Sequence, residues 1–220
     1  MTFQIGLIGT NGILLASDRR QIYSISSTEQ NPYAPNQPGE VSKFLWSANC
    51  DLICGFAGSP TSRDVARGLA ESTSLGSLPN LPLESEVERI SNERSQPMGP
   101  RDEIMIVRRS DISRIKLLSR WPHVTRLTDI TEWITTGDNS GPARFFLHHF
   151  YEKRSIAELK RIALLTLTYA SLENPSGIGG YEMWAVTSDG IELCPFEQFL
   201  AQADKARGEI ESVVRKVIFS

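Results

Sequence analysis

The sequence predicts an α+β layered sandwich, and three observations carry that expectation. Strand-like apolar runs come in blocks instead of alternating singly with helices, two pairs of helix-periodic stretches separate the blocks, and turn signals join neighbouring strands directly. The chain has 220 residues with 40% hydrophobic and 22% charged side chains, which suits one packed domain over 1–220.

The opening run, MTFQIGLIGTNGILLA, carries no Lys or Arg ahead of its apolar residues and is split by Asn11-Gly12. It reads as a β-hairpin and not as a signal sequence, with both turn residues accepting the positive φ of a type I′ turn. Residues 19 to 42 hold Asn31-Pro32, Pro35 and Pro38-Gly39 and are expected to form one long loop. Strands are predicted at Ser42–Ser47 and Asp51–Ala57, then a helix from Ser59 into the Gly76-Ser77 region and a charged one over Leu83–Glu93. Further strands follow at Glu103–Val107, Ile112–Leu118 and Trp133–Thr136. Apolar residues spaced by three and four, such as Ile156, Leu159, Ile162 and Ala163, predict helices over Pro142–Tyr151 and Ser155–Leu172. Strands at Glu182–Thr187 and Ile191–Cys194, joined by Ser188-Asp189-Gly190, precede a last helix from about Phe196 to Ile218.

Composition narrows the function classes. With 23 basic and 26 acidic side chains the net charge is −3, which argues against a nucleic-acid partner. No run approaches the ~20 apolar residues that span a bilayer, so no membrane partner is expected. The three cysteines, Cys50, Cys54 and Cys194, lack the paired spacing of a zinc site; no metal or cofactor is expected, and a reducing, cytoplasmic compartment is. The adjacent His148 and His149 point to different sides of a helix, which favours a structural or surface role over a shared metal. Gly177-Ile178-Gly179-Gly180 precedes a strand instead of opening a helix, so it lacks dinucleotide-binding geometry.

What remains is the amino terminus. Removal of Met1 would leave Thr2 with a hydroxyl nucleophile and a free α-amino group whose ordinary pKa of about 7.7–8.0 suits a general base. Asp18, within ILLASD, stands sixteen residues after Thr2, and Lys43 stands twelve before Gly55-Phe56-Ala57-Gly58. An ammonium beside a hydroxyl favours the alkoxide, and a carboxylate beside the ammonium holds it in place and charged.

On these positions the chain resembles the proteasome β-subunit and HslV family of N-terminal nucleophile hydrolases. The resemblance implies a four-layer αββα sandwich, Thr2 as nucleophile, Asp18 and Lys43 as its partners and Gly58 at the oxyanion. It further implies that Ser140, in Gly137-Asp138-Asn139-Ser140-Gly141, and Glu173 and Ser176, in Glu173-Asn174-Pro175-Ser176-Gly177, support the threonine. Asp138 stands where the family carries a serine, and Glu173 where it carries an aspartate. The segment 19–42, longer by nine residues than in HslV-like chains, is similar to an inserted pore loop and makes the chain most like the betaproteobacterial proteasome homologues. Such relatives imply identical subunits in two stacked rings, 14 subunits in all or alternatively 12, polypeptide substrates, and an ATP-dependent unfoldase as a possible partner. The implied activity is a self-compartmentalising threonine peptidase. An inactive ring serving as a binding scaffold is the alternative, and a small-molecule amidase on the same fold is a third reading.

Overall fold

The computed structural model describes residues 2–23, 37–74, 83–93, 98–121, 124–137, 141–175 and 178–195, with scattered positions beyond. Its first sheet has five antiparallel strands. These are β1 (Phe3–Ile8), β2 (Ile13–Asp18), β10 (Trp133–Gly137), β11 (Tyr181–Val186) and β12 (Ile191–Leu193), in the order β10-β1-β2-β11-β12. The second sheet runs β5 (Phe44–Trp46), β6 (Leu52–Ala57), β7 (Glu103–Arg108), β8 (Asp111–Trp121) and β9 (Val124–Ile130) in sequence order. Helices α1 (Pro60–Ser74) and α2 (Leu83–Glu93) cover the second sheet, and α3 (Gly141–Phe150) and α4 (Ile156–Glu173) cover the first.

Strand alternation builds the three interfaces of this four-layer stack. Along β1, Phe3, Ile5 and Leu7 face Leu147, Leu159 and Leu167 of α3 and α4, while Ile8 faces the opposite sheet. Along β6, Leu52, Cys54 and Phe56 pack on Val65, Leu69 and Ile90 of α1 and α2, while Ile53 joins Phe44, Met105, Leu15 and Ile115 between the sheets. Both faces of β1, β2 and β6 are covered, so all six residues of each are buried and the sequence reads as apolar runs. The α+β sandwich expected from the sequence is therefore the fold observed. At Gly6 the sheets approach so closely that a Cβ would lie 2.5 Å from Ile115 Cδ1.

Three local expectations need correction. The β1–β2 hairpin forms, but only Gly12 has a positive φ, and Gly9 N–H closes the turn on the Gly12 carbonyl at 2.7 Å. Asn11 instead uses its side-chain oxygen to accept from Ile156 N–H at 2.9 Å, satisfying an orphan donor at the start of α4. The segment 19–42 is not loop throughout. β3 (Arg20–Tyr23) and β4 (Gln37–Glu40) pair antiparallel as a two-stranded ribbon, where both strands are edges and Pro38 is tolerated. Finally, β9 was absent from the sequence reading because VTRLTDI alternates polar and apolar residues only weakly and follows Pro122-His123 directly. Most of the expected last helix, residues 196–218, lies outside the described residues, as do 24–36 of the expected pore loop.

Candidate active site

Thr2 enters β1 half-buried, and its surroundings are set by the strands on either side. Phe3 pairs with Gly137 across β1 and β10, and Asp18 closes β2 opposite Tyr181. The Thr2 carbonyl occupies the space beside Gly137: a Cβ on that glycine would sit 2.0 Å from the Thr2 oxygen and 3.4 Å from Ala57 Cβ. Gly137 also has φ 84°, a conformation that disfavours other residues. Gly137→Ala is accordingly expected to cost about 2–4 kcal/mol and to displace Thr2, read as a lowered denaturant midpoint together with lost Thr2 reactivity.

Asp18 is fully buried and accepts from Phe3 N–H at 2.7 Å through Oδ1; its Oδ2 is buried without a hydrogen-bond partner. Burial pushes its carboxyl up to about 6, against the lowering effects of the Phe3 bond and the Lys43 charge. Lys43, 5% exposed, is pushed the other way: burial lowers its pKa, and Asp18 and Glu182 hold it up against that. Asp18 and Lys43 are thus brought together electrostatically from positions 25 residues apart in the chain.

Three residues that the sequence reading missed fix Lys43 in place. Glu182 is 6% exposed and accepts from Lys43 N–H at 2.6 Å and from the Ser42 hydroxyl at 2.9 Å. Gln4, fully buried between the sheets, donates to the Lys43 carbonyl at 3.0 Å and accepts from Thr136 Oγ1 at 2.9 Å. β1 and β10 are thereby tied to Lys43 at the start of β5. The third, Phe44, stacks over Gly55, where a Cβ would meet its ring at 2.7 Å.

Gly58 lies exposed between β6 and α1 with φ 107°. The turn is pinned by Asp102, also missed in the sequence: its carboxylate accepts from Ser59 N–H, from Ser59 Oγ and from Gly99 N–H, each at 2.6 Å. A Cβ at Gly58 would strike Asp102 Oδ1 at 2.2 Å, which explains the glycine. Glu103 stands beside this turn, opposite Ala57, and accepts from Gly137 N–H at 3.0 Å. Burial pushes its carboxyl up, partly offset by that bond.

The supporting residues are a different matter. Ser140 and Ser176, with Asp138, lie outside the described residues. Glu173 is exposed on the last turn of α4, and no described contact joins it to Thr2. The loop after it does reach the site's edge: Arg20 donates to the Pro175 carbonyl, and Arg19 N–H donates to the Gly180 carbonyl at 2.5 Å, one residue beyond Asp18.

Among the described residues no helix is long and apolar enough to cross a membrane. No family model and no curated protein matches the chain. Solved structures do. The chain is similar to an Anbu mutant from Hyphomicrobium sp. strain MC1, with 14% identity, TM-score 0.70 and coverage of 98% of this chain and 97% of that one. It is similar to the Anbu complex of a helical assembly from Pseudomonas aeruginosa, with 14% identity, TM-score 0.69 and coverage of 97% and 96%. It is also similar to Anbu, described as an ancestral beta-subunit, from Yersinia bercovieri, with 12% identity, TM-score 0.67 and 96% coverage of each. These neighbours overturn the expected placement among proteasome β-subunits and HslV, and with it the betaproteobacterial subgroup. The physical reason is that the spacing of Thr2, Asp18, Lys43 and Gly58 follows from the hairpin and sheet geometry of the fold as a whole, and so cannot separate its branches. At this identity the likeness over nearly the whole chain establishes the fold alone, an α+β sandwich like that of the Anbu structures.

Proposed function

We propose that this chain assembles with copies of itself and that Thr2, once Met1 is removed, hydrolyses peptide bonds inside the assembly. The observation that carries the catalytic part is the convergence of Asp18 and Lys43 beneath the strand that Thr2 begins. In this reading Thr2 Oγ attacks the substrate carbonyl while the α-amine takes the hydroxyl proton. Lys43 stabilises the developing alkoxide, and the Gly58 backbone N–H receives the oxyanion. The amine then passes its proton to the leaving amine, and water releases the acyl group from Thr2 by the reverse order of steps. An extended polypeptide suits such a site because it can add as a strand beside β-structure.

Self-assembly draws support from the solved neighbour named as a helical assembly. A head-to-tail contact between identical subunits closes into a ring or continues as a helix, depending only on the rotation it imposes. A second reading keeps the assembly and drops the chemistry: a scaffold that binds polypeptide without cutting it. It is favoured by Asp138 at the place expected for serine, by Glu173 lying exposed, and by a neighbour whose name states an assembly.

The deciding experiment is intact-mass spectrometry after incubation with a peptide epoxyketone, a reagent that needs a hydroxyl and a free amine on one residue. Loss of Met1 with one adduct per chain is the expected outcome. Retained Met1 and no adduct would replace the peptidase by the scaffold.

A further inference from the structure

The two groups that must meet a substrate carbonyl together stand on different sheets. Thr2 leads into β1 of the first sheet, whereas Gly58 follows β6 of the second. The layer between the sheets is apolar, with Leu15, Phe44, Ile53, Met105 and Ile115 at its centre. Such packing is non-directional, so it holds the sheets together without fixing one strand end against another to a fraction of an ångström. Hydrogen bonds do that, and at this end of the sandwich the described ones that cross between the sheets form two sets. Ser42 and Lys43 are bonded to Gln4 and Glu182, which places the ammonium. The other tie is Glu103, the first residue of β7, whose Oε2 accepts from the N–H of Gly137, the last residue of β10, at 3.0 Å.

Both ends of that second tie lead into the site. Gly137 pairs with Phe3 and packs against the Thr2 carbonyl. Glu103 pairs with Ala57, one residue before Gly58, and follows Asp102, whose carboxylate holds Ser59 N–H on the other side of Gly58. From consecutive positions, Asp102 and Glu103 thus reach the oxyanion turn and the seat of the nucleophile. Both acceptors are carboxylates, and hydrogen bonds to a charged acceptor are shorter and stronger than neutral ones. Asp102 is 2% exposed, and burial pushes the Glu103 carboxyl up, so the charged groups are kept here at a cost to the fold. Such a cost is expected of groups retained for the geometry they impose.

We infer that Glu103 is a positioning residue: by holding Gly137 from the strand whose start anchors the Gly58 turn, it sets the separation between the Thr2 hydroxyl and the Gly58 N–H. It touches no substrate and acts through Gly137. A displacement of the two groups by about 1 Å suffices to slow the reaction about 10²-fold, because attack and oxyanion capture must fit one carbonyl. The inference rests on the proposed hydrolysis at Thr2, while the tie between the sheets is measurable without it.

The test compares Glu103→Met and Glu103→Gln with the parent, all as full-length chains, by epoxyketone labelling rate, turnover of a fluorogenic peptide amide, thermal unfolding and hydrogen exchange. Methionine fills the space without an acceptor, whereas the glutamine carbonyl can still accept from Gly137 N–H. Glu103→Met should lower labelling and kcat by about 10- to 100-fold with KM within about twofold, since the lost interaction is not with substrate. Its Tm should stay within about 4 °C of the parent, which separates positioning from a general loss of stability. Glu103→Gln should recover labelling to within about threefold of the parent. Exchange over residues 133–137 and 2–8 should quicken in Glu103→Met and return in Glu103→Gln. Should Glu103→Met not fold, Glu103→Asp takes its place, because it keeps the charge but is one methylene too short, and it must slow labelling where Glu103→Gln does not. Parent-like labelling in Glu103→Met, equal loss in both variants, or a raised KM with kcat unchanged overturns the inference. If the parent itself neither labels nor cuts, the peptidase is lost and exchange alone decides: quickened exchange that Glu103→Gln restores supports the tie, and unchanged exchange overturns it.

Discussion

Thr2→Ala is expected to abolish both epoxyketone labelling and peptide cleavage while leaving folding and assembly unchanged. No described contact in the fold depends on the hydroxyl. What holds the segment is main chain: Phe3 N–H on Asp18 and the Thr2 carbonyl packed at Gly137. Alanine keeps both, so the unfolding midpoint should move by no more than about 0.5 kcal/mol. The chemistry has no substitute, because the nucleophile and the bond it forms to the acyl group are one atom. Thr2→Ser should retain measurable labelling, since it preserves a hydroxyl and, after Met1 removal, the amine. Turnover by Thr2→Ala equal to that of the parent would exclude the mechanism outright. The readouts are labelling by intact mass and particle size by light scattering, taken on the same preparation.

Lys43→Met should slow labelling by about 10²–10³-fold, the scale seen when one preorganised electrostatic group is removed from a buried site. Methionine keeps the stem volume and the main-chain bonds from Gln4 and to Glu182, so a loss of this size reports charge and not misplacement. A second readout comes from pH. Asp18 titrates at about 6 in the folded chain against 3.8 ordinarily, so its stability contribution is fully present below the lower value and is lost as pH rises through 6. Removing Lys43 takes away a lowering influence on Asp18 and moves that loss to higher pH. The variant should therefore fall further behind its parent in urea midpoint between pH 5 and pH 8, and match it more closely at pH 4. A gap independent of pH would mean that Lys43 does not interact with Asp18 in the folded state. Labelling of the parent should rise from pH 6 to 8 as Asp18 and the α-amine lose their protons. It should then fall below the ordinary lysine value, because burial lowers Lys43.

The position of the proposed chemistry was more legible than its support. Thr2, Asp18 and Lys43 could be singled out because the hairpin length fixes one interval and the run from Lys43 to Gly58 fixes another. Those are local facts of strand geometry. Glu182, Gln4 and Asp102 could not, because each reaches the site from a strand or turn distant in sequence and carries no motif. Glu182 sits 139 residues from the N–H it binds. Nothing in YEMWAV distinguishes an inward glutamate from an outward one without knowing that β11 lies beside β2. Glu173, carried over from the family pattern, lies exposed at the end of α4, and no described contact joins it to Thr2.

By itself the sequence determined the α+β class, the hairpin at the amino terminus, the described helices and most strands apart from β3, β4 and β9 to within a few residues, and the intervals between Thr2, Asp18, Lys43 and Gly58. Those depend on periodicity and turn chemistry, which act over a few residues. Only the tertiary structure decided that Asn11 serves α4 instead of its own turn, that part of 19–42 is a ribbon, and that Glu182, Gln4 and Asp102 hold the site together. These are long-range pairings, chosen by which buried polar groups can satisfy one another once the layers have closed, and no window of sequence contains both partners.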